Sequence, residues 1–153
     1  MADYYADSSV LVKRHVQETG AAWFRRLADP ATDNVIITAR ISAIEVYSAL
    51  SRRRREARLS GTDYDDIAAD FAAVLVEYQI IELTALVTEL AKSLLERHPL
   101  RAYDATQLAS ALMAQNTLQA AGLPPLTFLA ADDRLLAAAQ AEELLTDNPN
   151  LHA

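Results

Sequence analysis

The sequence predicts an α/β fold with three layers, α/β/α, in which helices cover both faces of a central parallel sheet. Short runs of β-branched and aromatic residues alternate with longer segments of helical periodicity along the whole chain. Strands that alternate with helices pair in parallel, because each helix carries the chain back to the starting edge of the sheet. With 153 residues, 52% of them hydrophobic, the chain has the size of one domain. We therefore expect residues 1–153 to form a single domain.

The first elements are short. "DYYAD" (3–7) is an aromatic strand, and the "SSVLVKRHV" that follows begins a helix at Ser8 or Ser9, a residue type that caps helix N-termini. A helix over 18–28 ends at the loop "DPATDN", and the β-branched "VIIT" (35–38) is a buried strand.

The middle of the chain has two longer helices with recognisable ends. In the helix over 41–59, Ser42 is followed three residues later by Glu45, which is the S-x-x-E pattern of a capping box. "SGT" ends this helix, and a helix over 62–78 starts with a threonine cap.

The last third repeats the alternation of strand and helix. The predicted elements are a strand over 79–83, a helix over 84–98 that stops before Pro99, a helix over 100–119, a strand over 126–130 and a helix over 132–144. The final "NPNLHA" is expected to be a loose tail.

Composition excludes some kinds of site and leaves others open. Cysteine is absent, which excludes disulfides, thiolate metal sites and cysteine nucleophiles. No apolar run approaches the ~20 residues of a membrane span, so we expect a cytoplasmic protein without a membrane partner. The net charge of −7 argues against binding nucleic acid by bulk electrostatics, but it says nothing about the outer surface if several acids converge on a cation.

Four acidic residues fall where a parallel sheet would place a site, outside the carboxyl ends of its strands. Asp7, Glu45 and Asp132 each follow a predicted strand, and Asp104 lies near the start of its helix as the one acid among the alanines and leucines of "LRAYDATQLASAL". Carboxylates brought together in one crevice repel one another and need a compensating cation. Oxygen ligands favour Mg²⁺ or Mn²⁺, which can activate a water for attack on a phosphodiester as one ion or as a pair about 4 Å apart. The sequence therefore predicts metal-dependent phosphodiester hydrolysis without a covalent intermediate.

Each acid also has a purely structural interpretation. Asp7 can cap the serine-rich helix start, and Glu45 can complete the capping box. Asp104 and Asp132 can be first-turn residues that the helix dipole favours. The functional interpretation depends on all four recurring at the ends of different strands.

Together, four segments resemble the PIN-domain nucleases, and most closely the VapC-like toxins of bacterial and archaeal toxin–antitoxin pairs. The matching segments are "YYADSSVLVK" around Asp7, "ISAIEVYSAL" around Glu45, "LRAYDATQLASAL" around Asp104 and "TFLAADDRLLAAAQAEELLTDNP" around Asp132. They span nearly the whole chain, and their order and spacing make the resemblance specific.

The resemblance implies a PIN-like sandwich, Mg²⁺- or Mn²⁺-dependent cleavage of RNA, a homodimer and a cognate VapB-like antitoxin. It also implies that Asp7, Glu45, Asp104 and Asp132 are the catalytic, metal-binding residues. Ser9 and Arg101 match positions that are often polar or basic in the family and are predicted to support the site.

The fourth acid is the position at which the chain departs from the family. Members often carry Thr or Ser two residues before it, where this chain has Ala130. Asp133 is adjacent to Asp132, and neighbouring helix positions point about 100° apart, so only one of the two faces the crevice. The segment A-D-x-R-L favours Asp132.

Arg52 lies seven residues after Glu45, on the same helix face and about 10 Å further along. We expect Arg52 to contact the RNA backbone, whereas Arg53, Arg54 and Arg55 are at least as well explained by a solvated or antitoxin-facing surface. The apolar faces of the helices over 41–59 and 62–78 are candidates for the dimer surface.

Three other classes fit the sequence less well. A receiver-like domain would need paired acids after the first strand, and a phosphohydrolase of the D-x-D type would need an acid at residue 9, which is Ser9. A PIN-like fold that only binds RNA or protein is the remaining alternative. The presence of all four acids favours the enzyme.

Overall fold

The computed structural model describes residues 1–153 and has the predicted α/β architecture, a five-stranded parallel sheet with helices on both faces. The strands are β1 (Asp3–Ala6), β2 (Val35–Ala39), β3 (Gln79–Ile81), β4 (Thr127–Leu129) and β5 (Leu145–Asp147). The helices are α1 (Ser8–Lys13), α2 (Ala21–Leu27), α3 (Ile41–Arg55), α4 (Gly61–Leu75), α5 (Ala85–Arg97), α6 (Ala102–Ala120) and α7 (Asp133–Ala141).

The first strand lies at the centre of the sheet. The strand order is β3-β2-β1-β4-β5, and every neighbouring pair is parallel. The chain first builds outward from β1 through β2 to β3, and then crosses to the other side of β1 to add β4 and β5. The order therefore reverses next to β1, and such a switch point opens a crevice at the carboxyl ends of the strands.

Alternate residues of each strand point to opposite layers, because the side-chain period of a strand is two. Tyr5 and Phe128 stack with ring centroids 5.5 Å apart and pack into a core with α5, α6 and α7. Ala6 and Leu129 point the other way, into a second core with α1 to α4. Both faces of the sheet are thus covered, as the apolar strands require.

Several predicted helix starts were wrong by one or two residues. Asp7, and neither Ser8 nor Ser9, caps α1, since its side chain accepts a hydrogen bond from the backbone N–H of Val10. Helix α4 is capped by Ser60 instead of the predicted threonine. In both cases the capping side chain is the one that the backbone leaves in an extended conformation just before the helix.

The C-terminal end is ordered, which corrects the prediction of a loose tail. Strand β5 pairs with β4, and Pro149–Leu151 form a 3₁₀ turn. The His152 ring stacks on Trp23 with centroids 4.2 Å apart and contacts the Asp147 carboxylate at 2.9 Å. The tail is held by tertiary contacts that its local sequence does not reveal.

None of the helices has both the length and the apolar character needed to cross a membrane.

Candidate active site

Asp7 lies directly after β1, at the centre of the sheet. Its side chain is 6% exposed, and its Oδ1 accepts hydrogen bonds from the Ser9 hydroxyl at 2.6 Å and the Val10 N–H at 3.1 Å. Ser9 in turn accepts a hydrogen bond from the Ala131 N–H at 3.3 Å. Ser9 therefore ties Asp7 to the segment that carries Asp132.

Glu45 faces the same end of the sheet from the second turn of α3. The predicted capping box is absent: α3 begins at Ile41, Arg40 occupies the cap position without a side-chain hydrogen bond, and Ser42 is buried within the first turn. The Glu45 carboxylate accepts hydrogen bonds from the Ser8 hydroxyl at 3.1 Å and from the Gln107 amide at 2.8 Å. Its role is not to cap its own helix.

Asp104 and Asp132 come from the starts of α6 and α7. Asp104 lies in the first turn of α6 and is partly buried. Asp132 caps α7, with Oδ1 accepting hydrogen bonds from the backbone N–H groups of Arg134 and Leu135 at 2.8 and 3.3 Å. The structural and functional interpretations of Asp7 and Asp132 are compatible, because each cap uses only Oδ1 and leaves the second carboxylate oxygen available.

One cavity of about 810 Å³ collects these segments at the carboxyl end of the sheet. Glu45, Asp104 and Asp132 line it, and Asp7 lies beneath its lining residue Ser9. Asp133 is exposed and does not line the cavity. The remaining polar and aromatic lining includes Ser8, Ser48, Arg52, Arg101, Arg134 and Tyr103.

The acids perturb one another. Burial raises the pKa of Asp7 to about 7; the charges of Glu45 and Asp104 add to the shift, while the Ser9 and Val10 hydrogen bonds oppose it. Burial also raises the pKa of Glu45, again with a contribution from Asp104. The pKa of Asp104 is raised by burial and then by the charge of Asp132. The pKa values of Asp7, Glu45 and Asp104 are thus each raised in part by another acid, which makes the cavity unfavourable for uncompensated carboxylates and favourable for a cation.

The donor chemistry of the cavity fits a hard divalent cation. Carboxylate oxygens are its only strong ligands, since the chain has no cysteine and no histidine lines the cavity. No three His, Asp or Glu side chains, however, stand as a group that could hold a metal ion. Glu45, Asp104 and Asp132 therefore line one cavity without forming a finished coordination sphere.

Sequence reasoning missed three groups around this cavity. Arg134 lines it beside Asp132, and Tyr103, 57% exposed, lines it beside Asp104. Gln107, fully buried, donates to Glu45 from below. A glutamine three residues after Asp104 on an apolar helix was a usable signal, because a polar side chain on a buried helix face needs a partner.

Known proteins share both the sequence pattern and the fold. Residues 4–141 match the model of the PIN domain. The chain is 33% identical to Ribonuclease VapC45 of Mycobacterium tuberculosis (strain CDC 1551 / Oshkosh), over 90% of this chain and 89% of that protein.

Two solved structures have similar folds. A toxin–antitoxin complex from Klebsiella pneumoniae gives a TM-score of 0.59 at 17% identity, covering 95% of this chain and 97% of that one. Mycobacterium tuberculosis VapC20, described as a sarcin–ricin loop cleaving toxin, gives 0.62 at 20% identity, covering 88% and 94%.

This chain belongs to the PIN domain family, because the family model matches most of its length. Its acids also follow the strands at the switch point of a parallel sheet. Within that family its sequence is of the VapC-like kind, as the four segments predicted.

Proposed function

We propose that this protein is a metal-dependent endoribonuclease and the toxin of a VapBC-like toxin–antitoxin pair. One observation carries the proposal: Glu45, Asp104 and Asp132 from separate segments line a single cavity with arginines around them, and Asp7 lies buried beneath its lining residue Ser9. The name of the 33% identical relative, a ribonuclease, gives independent support for RNA as the substrate. A cytoplasmic location, where RNA is available, is part of the proposal.

The carboxylates Asp7, Glu45, Asp104 and Asp132 would hold Mg²⁺ or Mn²⁺. A cation held there would supply an activated water for attack on the phosphodiester and stabilisation of the leaving oxygen. Burial beside two other acids raises the pKa of Asp7 to about 7, so a nearby cation would favour its charged form. Ser8 and Ser9 donate hydrogen bonds to Glu45 and Asp7 and so keep these carboxylates turned toward the cavity.

Three arginines would bind the RNA backbone. Arg52, Arg101 and Arg134 line the cavity on its exposed rim, and they come from α3, the start of α6 and α7. An arginine binds phosphate through two parallel hydrogen bonds and keeps its charge at any physiological pH. The rim thus supplies the local positive charge that the net charge of −7 conceals.

We further propose a VapB-like antitoxin and a second copy of the chain as protein partners. The Klebsiella pneumoniae structure with the same fold is a toxin–antitoxin complex, which supports the first partner. The homodimer remains a prediction from the family resemblance.

The decisive experiment is cleavage of a mixed cellular RNA pool by purified, antitoxin-free protein. We expect cleavage with Mg²⁺ or Mn²⁺, none with EDTA, and a loss of about 100-fold or more in the variant Asp104→Asn. Asp133→Asn is the matched control, because Asp133 is the acid next to the site that does not line the cavity.

The outcomes separate the enzyme from a binding module. Equal cleavage by wild type and Asp104→Asn would show that the activity does not come from this cavity. A folded protein that neither cleaves RNA nor binds Mn²⁺ would instead be a PIN-like module that binds RNA or protein without catalysis.

A further inference from the structure

A chain of buried polar side chains runs beneath Glu45, on the side away from the cavity. It consists of Tyr5 on β1, Thr38 on β2, Ser42 on α3 and Gln107 on α6, and none of them is more than 1% exposed. Buried polar groups cost free energy unless they are hydrogen-bonded. Their presence between two apolar layers calls for a reason.

Each hydrogen bond among these four side chains has a defined donor and acceptor. The Glu45 carboxylate can only accept, so the Gln107 NH₂ group faces it, and Oε1 faces the Tyr5 hydroxyl, which donates to it at 2.6 Å. Gln107 Nε2 then faces Ser42 Oγ at 2.9 Å and Glu45 Oε1 at 2.8 Å, and an NH₂ group has one proton for each.

The hydrogen bonds of Thr38 and Ser42 are defined in the same way. Thr38 Oγ1 lies 2.7 Å from both the Ala6 carbonyl and Ser42 Oγ. A hydroxyl has one proton, and the Ala6 carbonyl can only accept, so Thr38 donates to Ala6 and Ser42 donates to Thr38. Ser42 Oγ can therefore only accept from Gln107. The amide cannot flip without breaking hydrogen bonds at both of its ends.

We propose that Gln107 is a positioning residue, which Tyr5 orients so that its amide holds the Glu45 carboxylate toward the metal-binding cavity. The inference rests on the proposed function, since it assigns Gln107 a role toward the same metal. A neutral amide suits this role because it fixes one carboxylate oxygen without cancelling the negative charge that the cation needs. A lysine or arginine at this position would compete with the metal for Glu45.

The test is Mn²⁺ binding by the full chain, followed by electron paramagnetic resonance of the free ion. We expect Gln107→Met, which keeps length and apolar volume but removes the donor, to weaken Mn²⁺ binding about 10- to 100-fold, the usual effect of losing an outer-shell partner. The matched control is Gln115→Met on the same helix. Gln115 accepts a hydrogen bond from Leu126 N at 2.9 Å, so its loss also costs a structural hydrogen bond, but far from the cavity. The control should bind Mn²⁺ like the wild type.

Tyr5→Phe tests the orientation of the amide and replaces Gln107→Met if that variant does not fold. It removes only the hydroxyl that fixes Gln107, so Mn²⁺ binding should weaken by a smaller factor than in Gln107→Met. In the double variant it should add nothing to the loss from Gln107→Met, because its effect passes through Gln107. Losses that add in the double variant would mean that Tyr5 affects Mn²⁺ binding by a route other than Gln107.

Two results would overturn the inference, and they differ in what they say about the proposed function. If the wild type binds Mn²⁺ and Gln107→Met or Tyr5→Phe binds it within about twofold as tightly, the positioning role is wrong and the metal site stands. If the folded wild type does not bind Mn²⁺, both the positioning role and the metal-dependent function are wrong.

Discussion

At the scale of single residues, Asp7 has an observed role as a helix cap and a proposed role as a metal ligand, and the two roles impose opposite demands. As the cap of α1 it must present an oxygen to the backbone N–H of Val10, which a neutral side chain could also do. As a metal ligand it must be charged in a buried position next to Glu45 and Asp104. The second role is costly for the metal-free protein, and that cost is measurable as a dependence of stability on pH.

The first prediction concerns this pH dependence in EDTA. A carboxyl group with a raised pKa binds more protons in the folded than in the unfolded chain, so it lowers the free energy of unfolding as the pH rises. For Asp7 the loss falls between the unfolded value of 3.8 and the folded value of about 7, and is complete above pH 7. Between pH 5 and pH 8 about two pH units of this window are crossed, so we expect Asp7 to make the wild type less stable at pH 8 than at pH 5 by about 2–3 kcal/mol.

Asp7→Asn should remove much of that dependence and stabilise the metal-free protein at pH 8 by roughly 1–3 kcal/mol, because the amide oxygen still accepts the capping hydrogen bonds. Urea unfolding at the two pH values measures it. Asp133→Asn is the control for removing one negative charge at an exposed position. A wild type that is more stable at pH 8 than at pH 5 would contradict the prediction.

At the scale of secondary-structure elements, residue type and periodicity predicted most helices and strands, because these elements depend mainly on neighbouring residues. Four of the five strands and all seven helices could be found from residue type and periodicity. Strand β5 could not, because Leu145–Asp147 is a three-residue edge strand with no apolar alternation. The capping box failed for a different reason, since Ser42 is drawn into the buried contacts with Thr38 and Gln107.

Some features of the candidate site could also be predicted from the sequence, and others could not. The placement of acids at strand ends follows from the parallel sheet, which makes their approach to one cavity an expectation of topology. The contact between Gln107 and Glu45 joins side chains 62 residues apart, and nothing in either segment specifies its partner. Tertiary hydrogen bonds of this kind can be identified only from the three-dimensional structure.

The second prediction concerns the junction between α2 and the C-terminal 3₁₀ turn. Gly20 caps α2 with a φ of 81°, and a Cβ there would lie 2.4 Å from the carbonyl oxygen of Pro149. Gly20→Ala should therefore cost backbone strain of about 1–2 kcal/mol together with a steric clash of about 1–3 kcal/mol. Gly122→Ala is the matched control, because its φ is 68° but nothing lies within 4 Å of the added atom.

The control should lose only the strain contribution. Urea unfolding of both variants, compared with the wild type, separates the two contributions. Equal losses in the two variants would mean that the C-terminal turn does not pack against Gly20 in solution.

At the scale of the whole molecule, the structure places its least favourable electrostatics at the centre of its sheet. Acids from segments that are distant in sequence converge there, and the surrounding hydrogen bonds hold them in place without neutralising them. Any cation that binds the folded chain but not the unfolded one therefore stabilises the entire fold.

The third prediction concerns this linkage. Mn²⁺ at about 100 times its dissociation constant should stabilise the protein by about 2.7 kcal/mol, which for a chain of this size raises the Tm by roughly 5–10 °C. The shift should be larger at pH 8 than at pH 5, because protons compete with the metal for Asp7 below its pKa of about 7. Thermal unfolding followed by circular dichroism measures it, with Asp104→Asn as the variant that should lose most of the shift. An equal shift in that variant would locate the stabilising cation elsewhere.

The central position of β1 has a consequence for how the protein is made. Strand β1 leaves the ribosome well before its neighbour β4 and before the segment that Ser9 contacts, 122 residues further along. At about 5–20 residues per second, roughly 6–25 seconds separate the appearance of Ser9 from that of its partner Ala131. A nascent chain has no complete set of carboxylates during that interval. The four carboxylates therefore cannot meet around one cavity until β4 and the segment after it have been made.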